Sequence, residues 1–173
     1  MRSTSASLKR YPQLADGTFV GRKTRRHAAS RPDREPQSGG TMNKIRALIV
    51  DDSSEMRKNI ERSLRQAGHD LEKIVEAGNG AEALGVLRDN PVDLILCDIN
   101  MPVMDGLEFV RQIGTVESAK GVPIVMITTE GSESHVVQAL SAGARGYIRK
   151  PFTPDQVKEH VLPVLEKALE KKS

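Results

Sequence analysis

The sequence predicts an α/β protein in which five βα units build a doubly wound parallel sheet. Three observations carry this. From Asn43 onward, strand-sized apolar runs alternate with amphipathic helix-sized stretches. The runs IRALIV, DLILC and PIVMI are nearly all apolar, as strands covered by helices on both faces must be. Four runs end on polar residues: IRALIV at Asp51 and Asp52, DLILC at Asp98, PIVMI at Thr128 and YIR at Lys150. In an open parallel sheet, ligands and chemistry lie outside the carboxyl ends of the strands, so these residues are candidates for one shared site.

The elements follow in order. A strand over 45–50 leads to a helix over 54–67, with Ser53 suited to cap it. Gly68 then supplies the left-handed stop. Strand 71–76, helix 80–89 and strand 93–97 make the next crossover, and helix 105–114 follows the loop after Asp98. Strand 123–127 and helix 132–142 end at Gly143, again placed for a left-handed stop. Strand 145–149 and helix 154–170 complete the series, with Pro154 fitted to the first helical turn.

Charge divides the 173 residues into two unlike parts. Residues 1–41 carry nine Lys or Arg against Asp16, Asp33 and Glu35, a net of +6; the remainder carries 17 basic and 20 acidic residues, a net of −3. The pI near 9.1 therefore averages two segments and does not mark the folded part as nucleic-acid binding. Residues 1–42 mix Arg, Ser, Gly and Pro without periodicity and bury too little apolar surface to offset chain entropy. They read as a disordered basic extension, with Met42 a candidate native start. A basic arm for nucleic acid or an acidic partner and an organelle transit segment are the alternatives.

Cys97 is the only cysteine, which excludes an intramolecular disulfide and any cysteine-built metal site. No apolar run reaches the length of a membrane span, and the N-terminus lacks a signal-peptide core. The expected address is cytoplasmic. The charged ending EKALEKKS gives the expectation that no output domain follows. His27, His69, His135 and His160 show no ligand spacing, and Cys97, Phe109 and Phe152 read as core.

The strand-end residues suggest chemistry. Asp51, Asp52 and Asp98 would put three negative charges into one crevice, and a bound cation is the usual relief. Mg²⁺ suits such an all-oxygen set. A plain Asp-Asp capping turn accounts for one of the two adjacent aspartates at most. Asp98 is a candidate nucleophile toward a phosphoryl group, Lys150 can pair with the incoming oxygens, and the Thr128 hydroxyl can hydrogen-bond one of them.

The segments IVDDSSEMRK, EAGNGAEAL, LCDINMPVMDGLE, VMITTE and ALSAGARGYIRKPFTPDQ, in that order, resemble the receiver domains of two-component response regulators, above all the stand-alone CheY-like group. The resemblance covers about residues 43–170. It implies a flavodoxin-like (CheY-like) fold with strand order 2-1-3-4-5, the order for which that group is itself the standard example. It implies Asp98 as phospho-acceptor, with Asp51, Asp52, Asp98 and the backbone carbonyl of Asn100 holding Mg²⁺. Thr128 and Tyr147 would be the switch pair, Lys150 the phosphoryl-pairing lysine with a cis Lys150–Pro151 bond, and Asn100 and Glu130 the residues that tune dephosphorylation. Thr129 departs from the small alanine common beside the switch residue. The implied partners are a sensor histidine kinase as donor and a downstream protein, such as a flagellar switch component or a phosphorelay protein. No nucleic acid or membrane is expected at the folded part, which would be a monomeric signalling switch of residues 43–173 and not an enzyme.

Two rivals come from the same residues. Gly78, Gly80 and Ala83 form a G-x-G-x-x-A run with Asp98 twenty residues after Gly78, the outline of a small nucleotide- or flavin-binding domain. That run follows the second strand, however, and the loop after the first is Asp-Asp-Ser-Ser, which repels phosphate. An aspartate-nucleophile phosphatase would need an acid two residues after Asp98, where Asn100 stands.

Overall fold

The computed structural model describes residues 44–129 and 131–172, with side chains through Glu170. Five strands, β1 (Lys44–Val50), β2 (Asp70–Ala77), β3 (Leu94–Cys97), β4 (Ile124–Thr128) and β5 (Gly146–Arg149), alternate with five α-helices. These are α1 (Ser54–Gln66), α2 (Gly80–Asp89), α3 (Gly106–Gln112), α4 (Glu133–Ala142) and α5 (Pro154–Lys172). All strand pairs are parallel and the order is β2-β1-β3-β4-β5, the order expected from the family resemblance. The chain direction across the sheet reverses between β1 and β3, which opens the crevice at their carboxyl ends.

The strands sort their side chains with period two. Leu48, Val50, Ile95, Cys97 and Met126 face one side and bury Ala83, Leu87, Phe109, Val110 and Ala139 of α2, α3 and α4. Ala47, Ile49, Leu96, Val125, Ile127 and Ile148 face the other, against Ile60 and Leu64 of α1 and Val157, Val161 and Leu165 of α5. Every residue of β3 and β4 is buried, whereas the edge strand β2 is only partly covered and keeps Glu72, Lys73 and Glu76 in solvent. This two-sided burial explains the unbroken apolar runs of the central strands.

Local signals end the elements where side-chain and backbone chemistry require. Ser53 accepts from Met56 N–H, Asn79 from Glu82 N–H, Asp105 from Glu108 N–H and Ser132 from His135 N–H, so each of these four helices begins with an oxygen on an orphan donor. Gly68 and Gly143 adopt φ of 96° and 126°, the left-handed conformations that stop α1 and α4. The helix expected over 105–114 is shorter: Asp105 is its cap, and after Gln112 the chain tightens into a 3₁₀ turn over Ile113–Thr115, where the Thr115 hydroxyl donates to Gln112 O. Strand β2 runs one residue further at each end than expected, because Asp70 and Ala77 pair with Lys44 and Val50. Pro163 lies inside α5 on its exposed side, where the lost backbone bond faces water. Residues 1–42, read as a disordered extension, lie outside the described residues. No described helix is long and apolar enough to cross a membrane.

Candidate phosphoryl-transfer and cation site

Asp51 continues β1 and Asp98 continues β3, and a hydrogen bond from Asp98 N–H to Val50 O (2.9 Å) locks the two strand ends in register. The carboxylates of Asp51, Asp52 and Asp98 converge there, with one oxygen from each lying within 4.8 Å of the others. Asp51 is 1% exposed and Asp98 8%, while Asp52 faces solvent. Lys150, directly after β5, reaches back across the sheet: its Nζ lies 2.7 Å from Asp51 Oδ2 and 3.2 Å from Asp98 Oδ2. The Lys150–Pro151 peptide is cis.

The remaining oxygens are held by backbone donors. Asp98 Oδ1 accepts from Ile99 N–H at 2.7 Å, and Asp51 Oδ1 from Ser53 N–H at 2.9 Å. The loop after Asp98 can pass this close only because Gly106 has no side chain; a Cβ there would stand 2.1 Å from the Asp98 carbonyl oxygen. Gly106 N–H donates to Ile99 O (2.8 Å) and fastens the start of α3 beneath the loop.

Electrostatics follows from this crowding. Burial pushes the Asp51 carboxyl above its ordinary value and the Asp98 charge adds to the rise, against the Lys150 and Ser53 hydrogen bonds that lower it. Burial pulls the Lys150 ammonium down, but Asp51 and Asp98 together outweigh it and hold the group above its ordinary value. Burial likewise drives the Cys97 thiol well above its ordinary value, with the Asp98 charge contributing, so Cys97 is a core side chain and not a nucleophile at neutral pH. A crevice in which a carboxyl resists ionisation and an ammonium bridges two acids is short of positive charge, and three hard oxygen donors within reach of one another fit a small divalent cation.

Other singled-out residues take the following places. Thr128 ends β4 fully buried, and Lys150 N–H donates to its carbonyl at 2.9 Å. Tyr147 pairs with Met126 on β4 and packs, partly buried, against the α2–α3–α4 side of the core. Asn100 is exposed, two residues beyond Asp98. Glu130 lies outside the described residues. Phe109 is fully buried, and Phe152 packs at the margin of the opposite cluster.

The nucleotide-binding alternative fails on its glycines. A Cβ on Gly80 would stand 2.8 Å from Met104 Cγ and 2.9 Å from Phe109 Cβ, and Gly80 N–H donates to Met104 O (2.9 Å). The glycine exists for the β3–α3 loop and α3, and its amide is spent on protein. Sequence reasoning missed Gly106, and it missed Arg57, whose Nη1 donates to Asp51 O at 2.6 Å. Only the spacing of a basic residue six positions after Asp51 hinted at that bond.

An acidic crevice at the carboxyl ends of a doubly wound sheet, crossed by a lysine that follows the last strand, defines the class: an α/β domain of flavodoxin-like topology with a cation-suited crevice at its strand ends. The chain belongs to the response regulator receiver domain family, whose model matches residues 47–162. It is 43% identical over 122 residues to the chemotaxis protein CheY homolog of Campylobacter jejuni, covering 70% of this chain and 92% of the relative. Chemotaxis protein CheY1 of Helicobacter pylori is also 43% identical over 122 residues, with 70% and 97% covered. Among solved structures, chemotaxis protein CheY4 of Vibrio cholerae aligns with TM-score 0.58 at 34% identity, over 72% of this chain and 98% of that one. A CheY-like receiver domain protein of Methanospirillum hungatei aligns with TM-score 0.64 at 28% identity, over 74% and 98%. Receiver domains are signalling switches that in general bind Mg²⁺.

Proposed function

We propose that Asp98 accepts a phosphoryl group from the phosphohistidine of a sensor histidine kinase, and that the modified domain changes its affinity for a downstream protein. The observation that carries this is the geometry at Asp98: a recessed carboxylate with one oxygen fixed by Ile99 N–H and the other at 3.2 Å from the Lys150 ammonium. An Asp98 oxygen forms a bond to phosphorus as the phosphorus–nitrogen bond of the donor breaks, and the donor imidazole leaves with a proton. Lys150 stabilises the charge on the transferred oxygens, and Ile99 N–H keeps the carboxylate from rotating away. Asp51, Asp52, Asp98 and the Asn100 carbonyl would hold Mg²⁺, which when bound neutralises the phosphoryl oxygens.

Thr128 and Tyr147 couple the modification to a surface in this reading. Met126 and Thr128 share one face of β4, and Tyr147 on β5 is registered beside Met126, so a hydroxyl drawn toward the phosphoryl group empties space on Tyr147's own face. Asn100 and Glu130, beside the acceptor and after the switch threonine, set the rate at which water removes the group. The named relatives are chemotaxis proteins, which supports a motility output; a phosphorelay protein is the other partner class. The domain acts as a cytoplasmic monomer that signals and is not an enzyme, and residues 1–42 are dispensable to it.

Intact-mass measurement after incubation with phosphoramidate and Mg²⁺ tests the assignment. One added phosphoryl group is expected in the wild type and none in Asp98→Asn. Equal labelling of the two would overturn it. Mg²⁺ should also raise the melting temperature of the wild type by linkage, with the shift lost in Asp52→Asn.

A further inference from the structure

We infer that Arg57 is a positioning residue for the divalent-cation site, holding Asp51 and Asp52 in place through a brace anchored on Glu76 of the edge strand. The inference rests on the cation reading above and extends it to residues outside the crevice. Only Asp51, Asp52 and Ser53 separate the end of β1 from α1. Asp51 is tied at every polar atom: its N–H donates to Ala77 O (3.1 Å), its carbonyl accepts from Arg57 Nη1 (2.6 Å), and its two carboxylate oxygens are taken by Ser53 N–H and Lys150. Asp52 is different. It is exposed, and among the described residues its carboxylate has no protein partner, so its position is set by the backbone that Asp51 anchors.

Arg57 is built to hold that backbone. Its guanidinium makes two bonds in two directions, Nη1 to the Asp51 carbonyl and Nε to Glu76 Oε1 at 2.5 Å, with the arginine side chain 18% exposed. Glu76 is registered beside Ile49, one residue before the strand end, so the brace ties α1, the acidic turn and the edge of the sheet together. The rigid fork of a guanidinium can span the two acceptors, whereas a lysine ammonium is a single point. The positive charge is already answered by Glu76, so its contribution to the crevice is alignment and not attraction for or repulsion of a cation. The two effects have opposite signs: losing a positive charge near the site would tighten cation binding, and losing alignment would weaken it.

Calorimetric titration of the full chain with Mg²⁺ alone separates them. Arg57→Ala should weaken Mg²⁺ affinity roughly tenfold, the scale expected for groups that orient metal ligands. Arg57→Lys, which keeps the positive charge but not the two-directional fork, should recover only part of the loss. Phosphoramidate labelling should slow at low Mg²⁺ in these variants and return to the wild-type rate at saturating Mg²⁺. Unchanged or tighter Mg²⁺ binding in Arg57→Ala would overturn the inference, as would a labelling defect that saturating Mg²⁺ leaves in place. Should Arg57→Ala fail to fold, Arg57→Lys, which keeps the charge and loses the fork, is judged by the same two results. Failure of the wild type to bind Mg²⁺ would instead refute the cation reading itself.

Discussion

Lys150 Nζ lies 2.7 Å from Asp51 Oδ2 across 99 residues of sequence, and the same ammonium reaches Asp98. Its positive charge keeps two buried acids at close quarters. Both side chains of the shorter pair are nearly excluded from water, at 10% and 1% exposure, so the interaction is not screened as a surface salt bridge would be.

Lys150→Met should therefore destabilise the metal-free domain by about 3 kcal/mol, because it strands two carboxylates in a desolvated crevice. Urea unfolding measures this. The deficit should shrink at saturating Mg²⁺, and adding Asp51→Asn to Lys150→Met should restore part of the loss, since the stranded charge is then removed. Additive losses in the double variant would show that the two residues are not coupled.

Val103 should be a site where a smaller side chain stabilises. It has φ of 68° and sits at the centre of a three-residue turn closed by Met104 N–H to Pro102 O at 2.7 Å. This is the strained form of the γ-turn, unfavourable for a β-branched residue, and the side chain is 86% exposed and so contributes no burial in return. Val103→Gly is expected to raise stability by about 1 kcal/mol after the added chain entropy of glycine is subtracted. A lower midpoint in thermal or urea melts would contradict the strain assignment.

His69 should make stability pH-dependent on the acid side. Burial, and secondarily the Lys158 charge, holds its imidazole below the ordinary value of 6.5, and its Nε2 is buried with no hydrogen-bond partner among the described residues. The unfolded chain then binds the proton more readily than the folded one. Stability is full above about pH 6.5 and falls as pH drops from there toward the lowered folded value. Subtracting a His69→Leu curve from the wild type isolates this contribution. The expected difference grows as pH falls from 7 to 5, and a flat difference would remove His69 as the cause.

The sequence by itself determined the alternation of five strands and five helices, because two-sided burial writes continuous apolar runs into β3 and β4 and capping writes Ser53 before α1. It also placed Asp51, Asp52, Asp98, Thr128 and Lys150 at strand ends, since a polar residue closing an apolar run is visible locally. Strand order was not legible from periodicity and came from the family resemblance, because pairing partners lie far apart in sequence. Tertiary structure alone decided which oxygens Lys150 reaches, that Gly80 serves Met104 and Phe109 instead of a phosphate, and that Gly106 lets the α3 loop pass the Asp98 carbonyl. It alone joined Arg57 to the Asp51 carbonyl and Glu76. These are close approaches between segments tens of residues apart, set by backbone geometry, and a sequence records propensity and burial but not which long-range neighbour fills the last ångström.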